Sequence, residues 1–510
     1  MPNKTILKWA GIVTILLVGS RILGFLRETA IAYQFGASAE TDAYLIAVML
    51  PQILFFAFND ALKTAFIPIY GEYHREEDGN AFAYTIYVLL SAILLLFSIV
   101  LVITAPVIVK LIAPGFHGET FQITVTMSRI LLPGLFFMGL SGLSSGILHT
   151  KKNFVVPAVP AYPSNLIIVF AAIFLGGRYG IIGLAWATIV AFASQFLIQL
   201  PAVIKHGVFR SRKLLWGHPG IKKMAVLLPP VILGGAAIEL KSIIDRTFGS
   251  LLPDGSIAAL NFATRIYLLP NGILILALLT VLYPTLVELQ LENRIKEFKD
   301  AMRQSIGLII VLVFPMMVGL IVLRVPVVSL LFERGAFDAA ATDSTAYALA
   351  FYSLGLIPLG MMLLISRAFY AVRDTVTPMG VTIFTMLLNI LLNWLLMKPL
   401  GHGGIALGTA LSVYAGAAAL SYLLWKRIGA FGGRRLVQTL LKSGIASLGM
   451  GVLLLYGRQL LTGGGFARQA LELGGLIGFG AGIYFLLAYL LRVEELSLAL
   501  AIIRSKMARR

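Results

Sequence analysis

The sequence predicts an all-α polytopic membrane protein of about 14 transmembrane helices, in two six-helix pseudo-repeat lobes plus two C-terminal helices. Three observations carry that expectation. Apolar runs long enough to cross a bilayer recur from end to end, the cations between them alternate from side to side, and pieces of the first half return in the second at a nearly constant offset.

Of 510 residues 59% are hydrophobic and only 13% are charged, where a soluble domain carries roughly 25% charged residues. Mean hydropathy is +0.91. About 20 apolar residues suffice for a helix to span a hydrocarbon core of ~30 Å. The runs are continuous, not ten-residue alternations, which excludes an outer-membrane barrel. The formal net charge is +18. On a soluble chain that would suggest nucleic acid. Here the cations sit in short connecting loops, so they read as topology signals and no nucleic-acid partner is expected. There is no cysteine, so disulfides and thiolate metal sites are excluded. The first apolar run, Trp9 to Gly19, flows into Ser20 and Arg21 without a small-residue cleavage site, and so reads as a membrane helix rather than a removed leader.

The expected helices lie near 6–35, 42–72, 81–112, 122–149, 154–177, 180–204, 222–249, 256–290, 300–331, 344–371, 376–398, 403–425, 435–457 and 469–491. With the N-terminus in the cytoplasm, the inner loops collect Lys151, Lys152, Lys205, Arg210, Arg212, Lys213, Lys222 and Lys223. Further on they collect Arg294, Lys296, Lys299, Lys426, Arg427, Arg434 and Arg435, and the tail adds Arg504, Lys506, Arg509 and Arg510. Outer loops hold few: Arg178, Arg334, Lys398, Arg458 and Arg468. The alternation places both termini in the cytoplasm and the chain in the inner membrane. The longest hydrophilic stretch joins helices six and seven, and no soluble domain is expected.

Thr64 to Pro68 followed by Glu72 matches Thr280 to Pro284 followed by Glu288, 216 residues later. Pro157 and Pro378 open helices five and eleven, 221 apart; Gly183-Leu184-Ala185 with Thr188 and Gly404-Ile405-Ala406 with Thr409 share that offset. Three matches in order indicate a six-helix duplication. Six is even, so both copies face the same way, as in transporters that hold substrate between two lobes. The expected division is 1–205 for the first lobe, 206–223 for a cytoplasmic linker, 224–427 for the second lobe, and 428–510 for two added helices and a tail.

Charge inside the membrane costs at least ~2.5–3.5 kcal/mol per Arg or Lys on insertion scales, so it marks function or internal pairing. Helix one carries Arg21, Arg27 and Glu28; helix two Asp60 and Lys63; helix seven Glu239, Lys241, Asp245 and Arg246; helix eight Arg265. Asp60 with Lys63, and Lys241 with Asp245, have the spacing of intrahelical ion pairs. Arg129, Arg324 and Arg367 lie nearer helix ends, where they can snorkel. Arg21, Arg27 and Arg265 lack enough local carboxylates; only Glu28 is adjacent, on a shared backbone, and is not an obvious partner. Arg27 and Arg265 both fall some ~12–15 Å below the outer face at ~1.5 Å per residue. Two guanidinium groups at one depth, on helices from different halves, suit an anion such as a diphosphate, which they bind bidentately. Gly24 leaves space beside them.

Asn389 and Asn393 are four apart and share a helix face. Thr409 and Asp245 can complete an oxygen cage for a small cation; the alternative is amides bonding between helices. No H-E-x-x-H, P-loop or G-x-S-x-G pattern occurs, and His149 beside Lys151 reads as a solvated helix end. The chain is not expected to be an enzyme.

The stretch Ser20-Arg21-Ile22-Leu23-Gly24-Phe25-Leu26-Arg27-Glu28 resembles the first helix of the MurJ/MviN family. The likeness continues at Phe35-Gly36-Ala37, Thr41-Asp42-Ala43 and Ala65-Phe66-Ile67-Pro68, and resumes at Ile243-Ile244-Asp245-Arg246-Thr247 and over Gly255 to Ala263. The family belongs to the MOP exporters. The resemblance implies two six-helix lobes, two helices forming a lipid-tail groove, and flipping of lipid II, an undecaprenyl-diphosphate peptidoglycan precursor, from the cytoplasmic to the outer leaflet. It implies headgroup binding by Arg21, Arg27, Glu28, Asp42 and Arg265, and a sodium site at Asp245, Asn389, Asn393, Thr409 and the backbone of Ile405. Cell-wall synthesis machinery is then an expected partner. The chain departs from the family at Phe55 and Phe56, where many members have two arginines, at Gln52, where Asn is usual, at Thr264 and Leu268, where some members are acidic, and at Asn393, where some have Asp. Two other transporter readings remain: a flippase for a different polyprenyl-linked glycan, and a cation-coupled drug exporter, against which the central arginines argue.

Overall fold

The computed structural model describes residues 4–74, 78–210, 213–461 and 464–496. Arg212 and the tail cations Arg504, Lys506, Arg509 and Arg510 lie outside the described residues, as do the side chains of Asp60 and Lys63. Among the described residues all regular structure is helical. The chain forms two compact units, one of residues 1–258 with 334–338, the other of 259–333 with 339–510.

The first unit begins with α1 (Lys4–Phe35) and α2 (Ala39–Ala61). A π-helical turn, Leu62–Phe66, follows α2 and leads into α3 (Ile67–Tyr73). Sequence alone reads 42–72 as one helix. The break has a cause at Pro68, which supplies no N–H to the preceding turn and whose ring crowds the carbonyl four residues back; a π turn absorbs the mismatch. Then come α4 (Gly79–Ile112), α5 (Gly118–Leu131), α6 (Gly134–Thr150), α7 (Ala161–Phe170), α8 (Gly176–Leu197), α9 (Leu200–Lys205) and α10 (Pro219–Ser250). A second π turn, Ala171–Leu175, joins α7 to α8. Helix α2 packs on α5, α6 and α10, and α1 on α7. The 219–250 helix, placed at the head of the second lobe by the repeat, thus packs with the first unit. Leu62, Phe66, Tyr70, Phe82 and Leu143 form one buried cluster, against which Phe55 packs from the side. Phe56 is half exposed, with its ring 5.9 Å from that of Phe55.

The remaining helices are α11 (Ser256–Pro270), α12 (Leu276–Leu291), α13 (Ile295–Val322), α14 (Arg324–Phe332), α15 (Ala339–Leu354), α16 (Leu356–Ala371), α17 (Val376–Leu400), α18 (His402–Ile428), α19 (Gly433–Gly457) and α20 (Phe466–Leu490). A third π turn, Asn271–Ile275, follows Pro270. In the second unit α17 pairs with α18, α13 with α16 and α19, and α19 with α20. The expected helix at 344–371 bends by 44° between α15 and α16.

Helical segments coincide with every expected position. By length and apolarity, nine spans among the described residues can cross a membrane, ten if the bent pair counts as one. Helix α4 shows why these segments suit lipid: Leu95, Leu96, Ile99, Ile103, Val107 and Leu111 all project outward, and a helix bonds its backbone groups within itself, Pro106 being the one interior residue without an N–H to give.

The repeat is visible in the backbone. Gly180 (φ 58°, ψ −161°) breaks the chain inside α8, and Gly401 (φ 55°, ψ −136°) separates α17 from α18. The two are 221 residues apart, the offset of the sequence matches. Both conformations are open to glycine and strained for other residues.

Candidate functional site

Arg27 is held in a polar cluster inside the first unit. Its Nη2 donates to Glu28 Oε1 at 2.6 Å and its Nη1 to Asn165 Oδ1 at 3.2 Å. Glu28 is 3% exposed, and the Arg27 side chain 24%. Adjacent residues on a helix do not face each other, and Glu28 is not an obvious partner from the sequence. The structure corrects this: the long Arg27 side chain curls back to its neighbour. The pairing removes much of the cost of a cation at this depth. Two of the five guanidinium N–H groups are used and the rest remain to donate. Arg21 lies six residues earlier on α1 and is exposed, and a Cβ at Gly24 would meet nothing within 4 Å. Arg265, on α11, belongs to the second unit and is also exposed.

Sequence reasoning missed Asn165, an amide in the apolar run of α7 and 6% exposed. The available signal was a polar residue inside a membrane helix, which has to find a partner between helices.

Asp42 is 2% exposed at the start of α2. Its Oδ2 accepts from the Gly255 N–H at 2.7 Å and its Oδ1 from the Ala258 N–H at 2.6 Å. Those N–H groups border the first turn of α11, where helix donors lack intrahelical acceptors. A carboxylate there also meets the positive end of the helix dipole. Both oxygens of Asp42 thus act on backbone, as a cap. Arg246, on α10, donates through Nη1 to the Leu45 carbonyl. In the second unit, Arg324 donates to the Ile321 carbonyl at 2.8 Å, and Arg367 lies over the rings of Tyr283 and Tyr370 at 5.7 and 5.8 Å.

The amide cluster expected for a cation forms within the second unit. Asn389 and Asn393 are fully buried on α17 and exchange bonds, Nδ2 to Oδ1, at 3.3 and 3.4 Å. Asn389 Nδ2 also reaches Thr409 Oγ1 on α18 at 3.2 Å. Ile405 is buried one turn before Thr409. Its carbonyl lies inside α18 and has one lone pair to spare beyond the helix bond. Neutral oxygens of this kind suit a hard cation, provided the two amides turn their oxygens toward it and give up their mutual bonds. Asp245, the one carboxylate expected there, lies half-buried on α10 in the first unit. Among the described residues no group of three His, Asp or Glu side chains is placed to hold a metal. The repeat partner of Thr409 is Thr188, buried and bonded instead to the Tyr44 hydroxyl at 2.9 Å.

Comparison with known proteins bears on the family of the chain. The family model described as "Lipid II flippase MurJ" matches residues 31–472. The lipid II flippase MurJ of Burkholderia cenocepacia is 31% identical over 420 residues, covering 80% of each chain. A solved structure of a lipid II flippase MurJ in an inward closed conformation superposes with a TM-score of 0.75 at 26% identity, over 93% of this chain and 98% of that one. An inward-facing multidrug-resistance MATE transporter of the MOP superfamily superposes with a TM-score of 0.68 at 14% identity, over 82% and 99%, a likeness of fold. A polytopic helical fold with charged side chains inside it, matched along most of its length by one family, places this chain in the lipid II flippase MurJ family.

Proposed function

We propose that this chain carries a polyprenyl-diphosphate-linked peptidoglycan precursor, lipid II, from the cytoplasmic to the outer leaflet by alternating access. The observation that carries the reading is the family match from 31 to 472. In this reading the lobes at 1–205 and 224–427 rock about a central site, the linker 206–223 and both termini face the cytoplasm, and the helices within 428–510 receive the lipid tail. The exposed apolar side chains of α19 and α20, Leu441, Leu448, Val452, Phe479 and Leu486 among them, suit that last role.

Arg21, Arg27 and Arg265 would bind the diphosphate. Arg27 has an orientation set by Glu28 and Asn165 and donors left over, which is the preorganisation a bidentate contact needs. Glu28 then acts through Arg27, and Asp42 acts as a structural cap rather than on the headgroup. Asn389, Asn393, Thr409 and the Ile405 carbonyl would hold a sodium ion with Asp245 as its counter-charge. With Asn rather than Asp at 393 the ion is held weakly, and the membrane potential supplies direction. A headgroup with about two negative charges gains up to ~4–5 kcal/mol in crossing ~100 mV outward.

The test is genetic. A bacterial host depleted of its own lipid II flippase should survive when this chain is expressed at native level. Membrane insertion without survival would assign the cargo to a different polyprenyl-linked glycan.

A further inference from the structure

At one end of the second unit, the last turn of α16, the first of α17 and the last of α18 enclose a recess of about 200 Å³. It is lined by Phe369, Thr377, Leu423, Lys426 and Arg427. We propose that this recess binds the phosphate headgroup of an anionic membrane phospholipid, through residues that include neither Arg265 nor the amide cluster of the same unit.

The charge balance favours an anion. Asp374, in the turn before α17, is the one carboxylate among the described residues that meets the recess residues. Its Oδ1 accepts from the Thr377 N–H at 3.0 Å; its Oδ2 accepts from the Thr377 hydroxyl at 2.8 Å and from Arg427. Both oxygens are therefore committed. The Thr377 N–H, helped by its hydroxyl and by Arg427, holds the carboxyl below its usual range, so it stays ionised and Arg427 stays in place. Arg427 spends its Nη1 there and keeps further N–H groups to donate. Lys426 has no acidic partner among the described residues and is exposed. The recess is left with one uncompensated cation beside a fixed guanidinium.

The surroundings select a lipid over a dissolved ion. Phe369 and Leu423 give the recess an apolar wall, which suits the glycerol and first methylenes of a lipid and offers nothing to a hydrated anion. Tyr422 and Trp425, one turn and one residue before Lys426, are 58% and 51% exposed with rings 5.8 Å apart. Exposed Tyr and Trp at a helix end mark headgroup depth. Lys299, in the first turns of α13, brings its Nζ to 3.2 Å from where a Cβ at Gly429 would stand, two residues beyond Arg427. Basic pockets between membrane helices on such a face are the recognised form of anionic-lipid sites.

The full-length chain, purified in neutral detergent, is titrated with short-chain phosphatidylglycerol, and bound species are counted by native mass spectrometry. Lys426→Gln should weaken binding about fivefold, and Lys426→Arg should bind as the parent does. Leu423→Trp, which fills the apolar wall, should also weaken binding. Lys398→Gln removes a cation 6.0 Å above the Trp394 ring at the opposite end of α17, and should leave binding unchanged. Parent-level binding by a folded Lys426→Gln overturns the proposal. So does displacement of the lipid by equimolar inorganic phosphate, which would mark a site for soluble anions.

Discussion

Removing the Arg27 guanidinium should destabilise the protein and stop transport, and the two effects are separable. The pair with Glu28 measures 2.6 Å, with the carboxylate side chain 4% exposed. Breaking a fully buried pair from one side costs ~3–5 kcal/mol, because the charge left behind has lost its compensation. Arg27 is itself a quarter exposed, and Glu28 keeps a further contact, so Arg27→Ala should cost about 2–3 kcal/mol. Glu28→Gln leaves a cation that can still hydrate, and should cost about 1–2 kcal/mol. The double variant should fall short of the sum by about 1–2 kcal/mol. Thermal unfolding of the four proteins in one detergent measures this. Coupling within ~0.5 kcal/mol of zero would refute the pairing. In a flippase-depleted host, Glu28→Gln should retain partial transport, Arg27→Lys should rescue in part, and Arg27→Ala should fail even when well inserted, since lysine has the charge without the fork.

Three further outcomes are expected. Asp42→Ala should destabilise by about 3 kcal/mol, since two charge-assisted bonds to backbone N–H groups are lost, and Asp42→Asn by about half; equal and negligible effects would remove its capping role. A reporter fused after Arg212 should register cytoplasm and one within 332–343 the outside; a cytoplasmic signal from the second would break the fourteen-helix topology. Depolarisation with valinomycin and high external potassium should stop transport while sodium removal alone has a smaller effect, and Asn393→Asp should increase the thermal stabilisation given by sodium. Transport that survives depolarisation and fails without sodium would reverse that order.

Much of the architecture is legible in the sequence because it is written in period and charge. Continuous apolar runs and alternating loop cations set helix positions, and the offset that aligns Thr188 with Thr409 also aligns Gly180 with Gly401. The breaks were less legible. Pro68 and Pro270 are visible in the sequence, but whether a helix answers a proline by ending, kinking or adding a π turn depends on what packs against it. The site divides in the same way. Residue type and depth point to Arg27, Asn389 and Asn393. The roles of Glu28, Asn165 and Asp42 depend on side-chain reach and on helices far apart in the chain: Asn165 lies 138 residues from Arg27, and Ala258 lies 216 from Asp42. Nothing in the local pattern around Asp42 separates an anion-site carboxylate from a cap.

In the proposed function, guanidinium groups in the membrane carry a diphosphate headgroup outward. That step is tested most directly by lipid II exposure in spheroplasts depleted of their own flippase and expressing this chain. An externally added enzyme that cleaves lipid II reports the outer-leaflet fraction. Cleavage product should accumulate with the parent chain and stay at background with Arg27→Ala and Arg265→Ala at equal membrane abundance. Background product with the parent chain, or parent-level product with both variants, would contradict it.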